Sequence, residues 1–511
     1  LKLGDGVRLH SRYTWFNEEE KAMYRYAAVS QNSNIDDGTW IRGDVEWIDY
    51  PLYVCGHQLY GAYVDGNFKG PASGFCCKEY TGKGISYNPE SQTLTLSGVK
   101  IDSEDVFDAV KNQGVDELTI KLTGESDIKV CDNVFQLRRN TTFIGDGTLR
   151  GEATADDGYG IWLNGDEDPD LVVDGPTFEF KGQTAIGGGS LCHLTFNKGK
   201  LTFEPNDNPR SAFTGLANVD FAANLAITEP EGAYYSKVLT NVTTDGANTY
   251  KGLVVVDEVT PYDLTIAGVG VNAANCTDIL HDGVFSYEPE SKTLTISGDC
   301  DYEYKTVESR IEDLTINVIG NSTLTAKSGY TIIRLYANTT ITGGKLTLKN
   351  ENKYDQSIGI YLGTEEGVAT LTIKDADIEI IGDGFSYGIT GTDECSLIID
   401  NSDISASAHS YGCIYDWNGI TLSNCYIEQP EASVIKANGI YGIDDFPIGS
   451  GDDVETIVIK AGEMTGIDEL GVRNEELGVG NGQSIYDLQG RKVANPEKGK
   501  IYILNGKKVK K

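Results

Sequence analysis

The strongest constraint on this chain is that it carries much the same sequence twice. The segment YNPESQTLTLSG at residues 87–98 recurs as YEPESKTLTISG at 287–298, 200 residues later. Five further anchors recur in the same order at offsets between 196 and 203. They are ELTI at 117–120 with DLTI at 313–316, Asn140 with Asn338, GIWL at 160–163 with GIYL at 359–362, Cys192 with Cys395, and EPE at 229–231 with QPE at 429–431. Chance does not keep six anchors in order, so the chain is read as a duplication. A lead motif, YPLYVCG at 50–56 and YDLTIAG at 262–268, opens each copy. The units are therefore 50–261 and 262–462. Residues 1–49, in which 38–48 carry Trp40, Ile41, Val45 and Trp47 like a closing strand, read as the tail of a truncated preceding unit.

A shorter rhythm runs inside each copy. Apolar–polar alternations start near Thr93, Glu117, Thr141, Leu171 and His193, and again near Thr293, Asp313, Thr339, Thr370, Ser396 and Gly419. Alternation with period two buries one face of an extended strand. Residues that tolerate left-handed turns follow the runs, as at Gly343-Gly344, Asp400-Asn401 and Ser423-Asn424. Steps of about 20–30 residues are too long for the hairpin spacing of a sandwich. They suit a solenoid, in which stacked rungs bury one continuous apolar column. The expected fold is all-β: a right-handed parallel β-helix in two homologous units, with a small C-terminal β-ribbon.

Composition narrows the function. With 77 acidic and 42 basic residues among 511, the net charge is −35, which repels phosphate backbones and argues against nucleic acid. No apolar run is long enough to span a membrane as a helix, so membrane insertion is not expected. The first residue is Leu1 rather than Met, which reads as a fragment or a processed product. The ten cysteines include no CxxC pair, so zinc-ribbon and thioredoxin chemistry is not expected and the thiols read as buried core residues.

After residue 462 the rhythm stops. Residues 463–482 read as an acidic, Gly-rich linker, and 483–511 carry SIYDLQGRKV followed by KGKIYILNGKKVKK. This pattern resembles the short C-terminal sorting module of secreted Bacteroidota proteins. The resemblance implies export to the cell surface or medium by that phylum's secretion machinery, with an outer-membrane-associated or secreted location. The lead motif and the YxPESxTLT segment resemble repeats in uncharacterised surface proteins of gut Bacteroidota and Clostridia, which are similar to carbohydrate-binding β-helices. That likeness covers most of residues 50–462 and implies a fold and a glycan partner, not a reaction.

No nucleophile or phosphate-loop motif is present. The five histidines, His10, His57, His193, His281 and His409, are far apart in sequence. The triplet Arg42-Gly43-Asp44 falls inside a strand pattern. Asp166, Asp168 and Asp170 alternate on one loop, the spacing with which oxygen ligands wrap calcium, although Leu171 and Thr177 depart from the EF-hand pattern. Calcium is the only cofactor the residues point to. In the second copy that loop holds only Glu365 and Glu366.

Trp162 and Tyr361 occupy matched positions, and Tyr411, Tyr415 and Trp417 cluster near another turn. Aromatic faces stack on sugar rings, so these five are the glycan-contact candidates. No catalytic residue is assigned. The expected function is non-enzymatic binding of a polysaccharide or host glycan. A structural stalk or protein adhesin is the alternative, and a polysaccharide lyase or hydrolase, which needs a carboxylate pair in a cleft, is the second.

Overall fold

The computed structural model describes residues 8–10, 15–17, 22–24, 40–42, 46–64, 67–69, 84–164, 168–302, 306–327, 331–350, 357–365, 367–381, 385–442, 444–451 and 453–462. In the C-terminal unit it describes 485–486, 492–493, 501–504 and 507–510. Asp166, Glu366, Cys76, Cys77, Gly43, Asp44 and the linker 463–482 lie outside these residues. No helix occurs among them, and therefore none long and apolar enough to cross a membrane.

Residues 1–461 form one compact unit and 462–511 a second. The first is a β-solenoid of about twelve coils. A coil runs through three short strands, each on its own face. Leu118–Thr123, Glu125–Val130 and Asn133–Leu137 make one such coil, and Thr141–Gly145, Thr148–Ala153 and Tyr159–Leu163 make the next. Like strands of successive coils pair in parallel and in register, as Leu118 with Thr141, Ser126 with Leu149 and Phe135 with Ile161. Residues 293–461 run through the same succession. Leu314–Ala326, Thr339–Asn350, Ala369–Lys374 and Cys395–Asp400 stack in parallel on the first face.

The corners explain the glycines. Between the first and second faces the chain turns through one left-handed residue per coil: Gly98, Gly124, Gly145, Gly175 and Gly199, then Gly320, Gly343, Asp375, Asn401 and Asn424. Where the corner residue is not glycine, its side chain bonds along the stack. Asn401 Nδ2 donates to Asp375 Oδ1 at 2.7 Å, and Asn424 Nδ2 to Asp400 Oδ1 at 2.9 Å. The opposite corner uses the matched anchors in the same way. Asn140 donates to Glu117 at 2.9 Å and accepts the Asp170 amide, while Asn338 donates to Glu312 at 2.7 Å and accepts the Thr370 amide.

Inside, apolar side chains gather into two clusters, over residues 52–256 and 264–459. The first is rich in phenylalanine. Phe135 meets Phe143 edge-on at 5.0 Å, Phe143 meets Phe178 at 5.2 Å, and Phe178 stacks on Phe180 at 5.1 Å. The anchor Gly160 lies under that ring, since a Cβ there would sit 2.5 Å from Phe180 Cγ. Its counterpart Gly359 lies against Ile380.

Antiparallel strands close the stacks. Ile85–Asn88 pairs with Thr93–Ser97, and Val254–Glu258 lies antiparallel to both His193–Pro205 and Leu225–Glu229. In the second stack Phe285–Glu288 pairs with Thr293–Ile296, and Glu455–Ala461 with Asp403–Ala408 and Cys425–Gln429. The lead motif is a hairpin in both copies. Cys55-Gly56 and Ala267-Gly268 have both central φ angles positive, which is the type I′ turn that matches strand twist. The strand Glu46–Val54 runs from the residues read as a closing strand straight into the first of these hairpins.

The C-terminal unit holds a four-stranded antiparallel sheet over residues 485–510. The sequence pattern predicts two strands. The stretch IYILNGKKVK instead divides into Ile501–Leu504 and Lys507–Lys510 around an Asn-Gly pair, a strong hairpin signal.

Candidate functional site

The third face of the second stack carries several partly exposed aromatic rings. Register places Glu308, Arg334, Tyr361, Thr390 and Tyr415 on one line, each on the next strand. Neighbouring strands lie about 4.8 Å apart, so Tyr361 and Tyr415 are separated by about 10 Å along the stack. Thr390 between them is only 2% exposed. Three residues earlier on the Thr390 strand, Tyr387 pairs with Gly412 and stacks on Tyr411 with ring centres 4.8 Å apart and planes within 7°. Tyr411 is 45% exposed, so that pair presents a face to solvent.

Glycines give these rings room. A Cβ on Gly363 would sit 2.9 Å from the Tyr361 ring, and one on Gly439 would sit 2.6 Å from the Tyr415 ring. Each ring therefore lies close against the backbone. Tyr415 also meets Tyr441 edge-on at 6.2 Å. Burial pushes the Tyr387 hydroxyl up to about 12, helped by Asp416, Tyr411 and Tyr415. Burial also raises Tyr361, against the opposing pull of Arg334. The hydroxyls stay neutral near pH 7, as donors and acceptors suited to sugar hydroxyls.

The five aromatic candidates divide by position. Tyr361, Tyr411 and Tyr415 share this face. Trp162 lies on the third face of the first stack, in register with Gln136 and Gly187, with Tyr159 tilted against it at 4.5 Å. Trp417 is 2% exposed, and its indole N–H donates to the Ile389 carbonyl at 3.4 Å. Its ring packs over Gly391 in the core, out of reach of a ligand.

Of the candidate calcium loop, Asp168 and Asp170 are described. Asp170 Oδ1 accepts the His193 amide at 3.0 Å and Asp168 takes a φ of +48°. Among the described residues no three His, Cys, Asp or Glu side chains come together as a metal site.

Some carboxylates elsewhere are engaged by cations. On the second face of the first stack, register alternates their charges with cations: Lys100, Asp127, Arg150, Glu179 on one line and Asp102, Lys129, Glu152, Lys181, Glu204 on the next. Arg150 reaches Glu179 at 3.0 Å, Glu125 at 3.1 Å and Asp127 at 3.4 Å. The groove over this face holds about 500 Å³. Its ion pairs are solvent-exposed and contribute little each.

Asp132, on the third face of the first stack, is raised above the usual carboxylate range by burial and by the nearby Asp108 and Asp157. The Asn133 amide lies between two of these acids, 2.6 Å from Asp108 and 3.0 Å from Asp132. A raised carboxyl beside a second acid is one requirement of a general acid.

No protein-family model, curated protein or solved structure matches the chain.

Proposed function

We propose that this chain is a non-enzymatic secreted or cell-surface protein that binds a polysaccharide or host glycan along the third face of its second stack. The observation that carries the reading is the register line Tyr361–Thr390–Tyr415, with both rings seated on glycine and the stacked Tyr387–Tyr411 pair farther along the same face. Rings on a rigid parallel sheet lose little freedom on binding, and their spacing of about 10 Å is of the order of a disaccharide repeat. Trp162 offers a separate contact on the first stack. Calcium held by the loop of Asp166, Asp168 and Asp170 would stiffen the corner beside it.

The test is retention of the purified chain on immobilised polysaccharides, with calcium and with chelator, while the supernatant is assayed for released sugar. Retention without release is expected, with Tyr361→Ala and Tyr415→Ala each weakening it about tenfold. Retention unchanged in the double variant removes the aromatic line from the reading. Released sugar that disappears in Asp132→Asn makes the protein an enzyme instead. The alternating charges of the second face favour the other reading, a stalk or protein adhesin, which failure on every polymer would leave standing. The C-terminal unit is read as the sorting-type module that directs export in a member of the Bacteroidota.

A further inference from the structure

Resting on the glycan reading above, we infer that the sugar bound on this face is acidic, its anionic group taken by the guanidinium of Arg334. Arg139, Arg150 and Arg310 each have a carboxylate oxygen at about 3 Å: Asp116 at 3.0 Å, Glu179 at 3.0 Å and Glu365 at 2.9 Å. Arg210 donates to the Tyr159 hydroxyl. Arg138 shares a buried Nε–H without an acceptor, but it lies in a cleft lined by the acids Asp116 and Glu117. Arg334 has neither a hydrogen bond nor an ion pair among the described residues, and its Nε–H is buried without an acceptor.

What surrounds Arg334 is aromatic. Its Cζ lies 5.6 Å from the centre of the Tyr336 ring and 5.4 Å from that of Tyr361. The nearest acid on its own register line, Glu308, bonds Arg310 at 3.4 Å, and Arg310 itself sits 4.3 Å over Tyr336. Ring faces attract a cation but do not accept bonds in the guanidinium plane. In a chain with 77 acidic residues, a guanidinium left without a carboxylate is conspicuous.

The fork of Arg334 can give two parallel N–H bonds to one carboxylate or sulfate. It lies one strand from Tyr361, so a sugar stacked on that ring brings the acidic group of its neighbour to the guanidinium. The net charge of −35 does not forbid this. At physiological salt, fields fade over about 8 Å, and the local pair decides.

Uronate carboxylates and sulfate esters share this chemistry, so the experiment separates them. The full chain is titrated with polygalacturonate and its methyl ester, and with dextran sulfate and dextran. The wild type should bind at least one acidic polymer roughly tenfold or more tighter than its neutral counterpart. Arg334→Gln should abolish that preference while leaving neutral binding unchanged, and Arg334→Lys should restore part of it. Arg150→Gln, the same charge change on another face, should keep the preference. Preference for polygalacturonate alone identifies a uronate, and for dextran sulfate alone a sulfate ester.

Equal binding of acidic and neutral polymers, with both Arg334 variants like wild type, overturns the acidic inference and leaves the glycan reading intact. Binding to none of the four, with Tyr361→Ala also without effect on any retained polysaccharide, overturns both. If Arg334→Gln does not fold, Arg334→Lys decides: it keeps the charge and loses the fork, so full retention of the preference counts against the proposal.

Discussion

At the scale of single residues, carboxyls held above their ordinary range mark where to look. Asp132 is one. Burial and two neighbouring acids raise its pKa in the folded state, so the native protein takes up that proton more readily than the unfolded chain does. Stability therefore falls as pH rises from the ordinary carboxylate range through the raised value, and the ionised form is a burden at pH 7. Asp132→Asn should raise stability at pH 7 by less than about 1 kcal/mol, with the gain vanishing below the ordinary carboxylate range. Denaturation midpoints at both pH values check this, and a gain that grows on acidification contradicts it.

Which aromatics face outward was only partly legible in sequence. Tyr361 and Tyr415 follow from alternation, but Trp417 does not. Two positions beyond Tyr415 in a straight strand it would share the outward face. The strand ends at Tyr415, Asp416 takes a φ of +72°, and the indole enters the core. Arg334 gave no sequence signal, because its lack of an acid partner is a property of register.

At the scale of elements, the alternation located eleven first-face strands to within a residue and missed Asn218–Phe221. Thr93, Thr141, Leu171, His193, Thr293, Thr339 and Gly419 open strands as read, and Glu117, Asp313, Thr370 and Ser396 are one residue off. The second and third strands were missed. Many are only three to six residues long, and Leu171–Gly182 and His193–Pro205 run through a corner without a break. The corner is made by a left-handed glycine within the strand, so no polar loop announces it.

Packing of elements also explains why GIWL and GIYL were anchors. Ala at Gly160 would put Cβ 2.5 Å from Phe180 Cγ and 2.6 Å from the Ala185 carbonyl oxygen. Backbone cannot yield there as a flexible side chain can, so Gly160→Ala should cost about 1–3 kcal/mol or more. Gly419→Ala, whose Cβ would meet nothing nearer than Ser396 Oγ at 3.6 Å, should stay within about 0.5 kcal/mol. Urea midpoints of the two variants give the comparison, and equal shifts would refute the packing argument.

At the scale of the whole molecule, the two units call for different experiments. The solenoid carries the proposed binding line, and the export proposal rests on residues 462–511. A chain cut after residue 461 should still fold, because its contacts close within that unit, yet remain inside a Bacteroidota host that exports the full chain. Equal amounts of both forms in the medium would remove the sorting role. The solenoid itself was readable because duplication and rung spacing are properties of order along the chain. In the C-terminal sheet, Ile485–Tyr486 and Lys492–Val493 were read as one strand, since two-residue strands leave no periodicity to detect, while the Asn-Gly pair that divides the other two was in the sequence.

The reversed strands that close each stack have a further consequence. A column of parallel rungs is an open template: its last rung offers a row of free amides and carbonyls to any identical molecule. Here that role is taken within the chain, by Val254–Glu258 against His193–Pro205 and by Glu455–Ala461 against Asp403–Ala408. A protein built from coils that stack on their own kind is thus given ends that do not present a bare parallel rung to another copy.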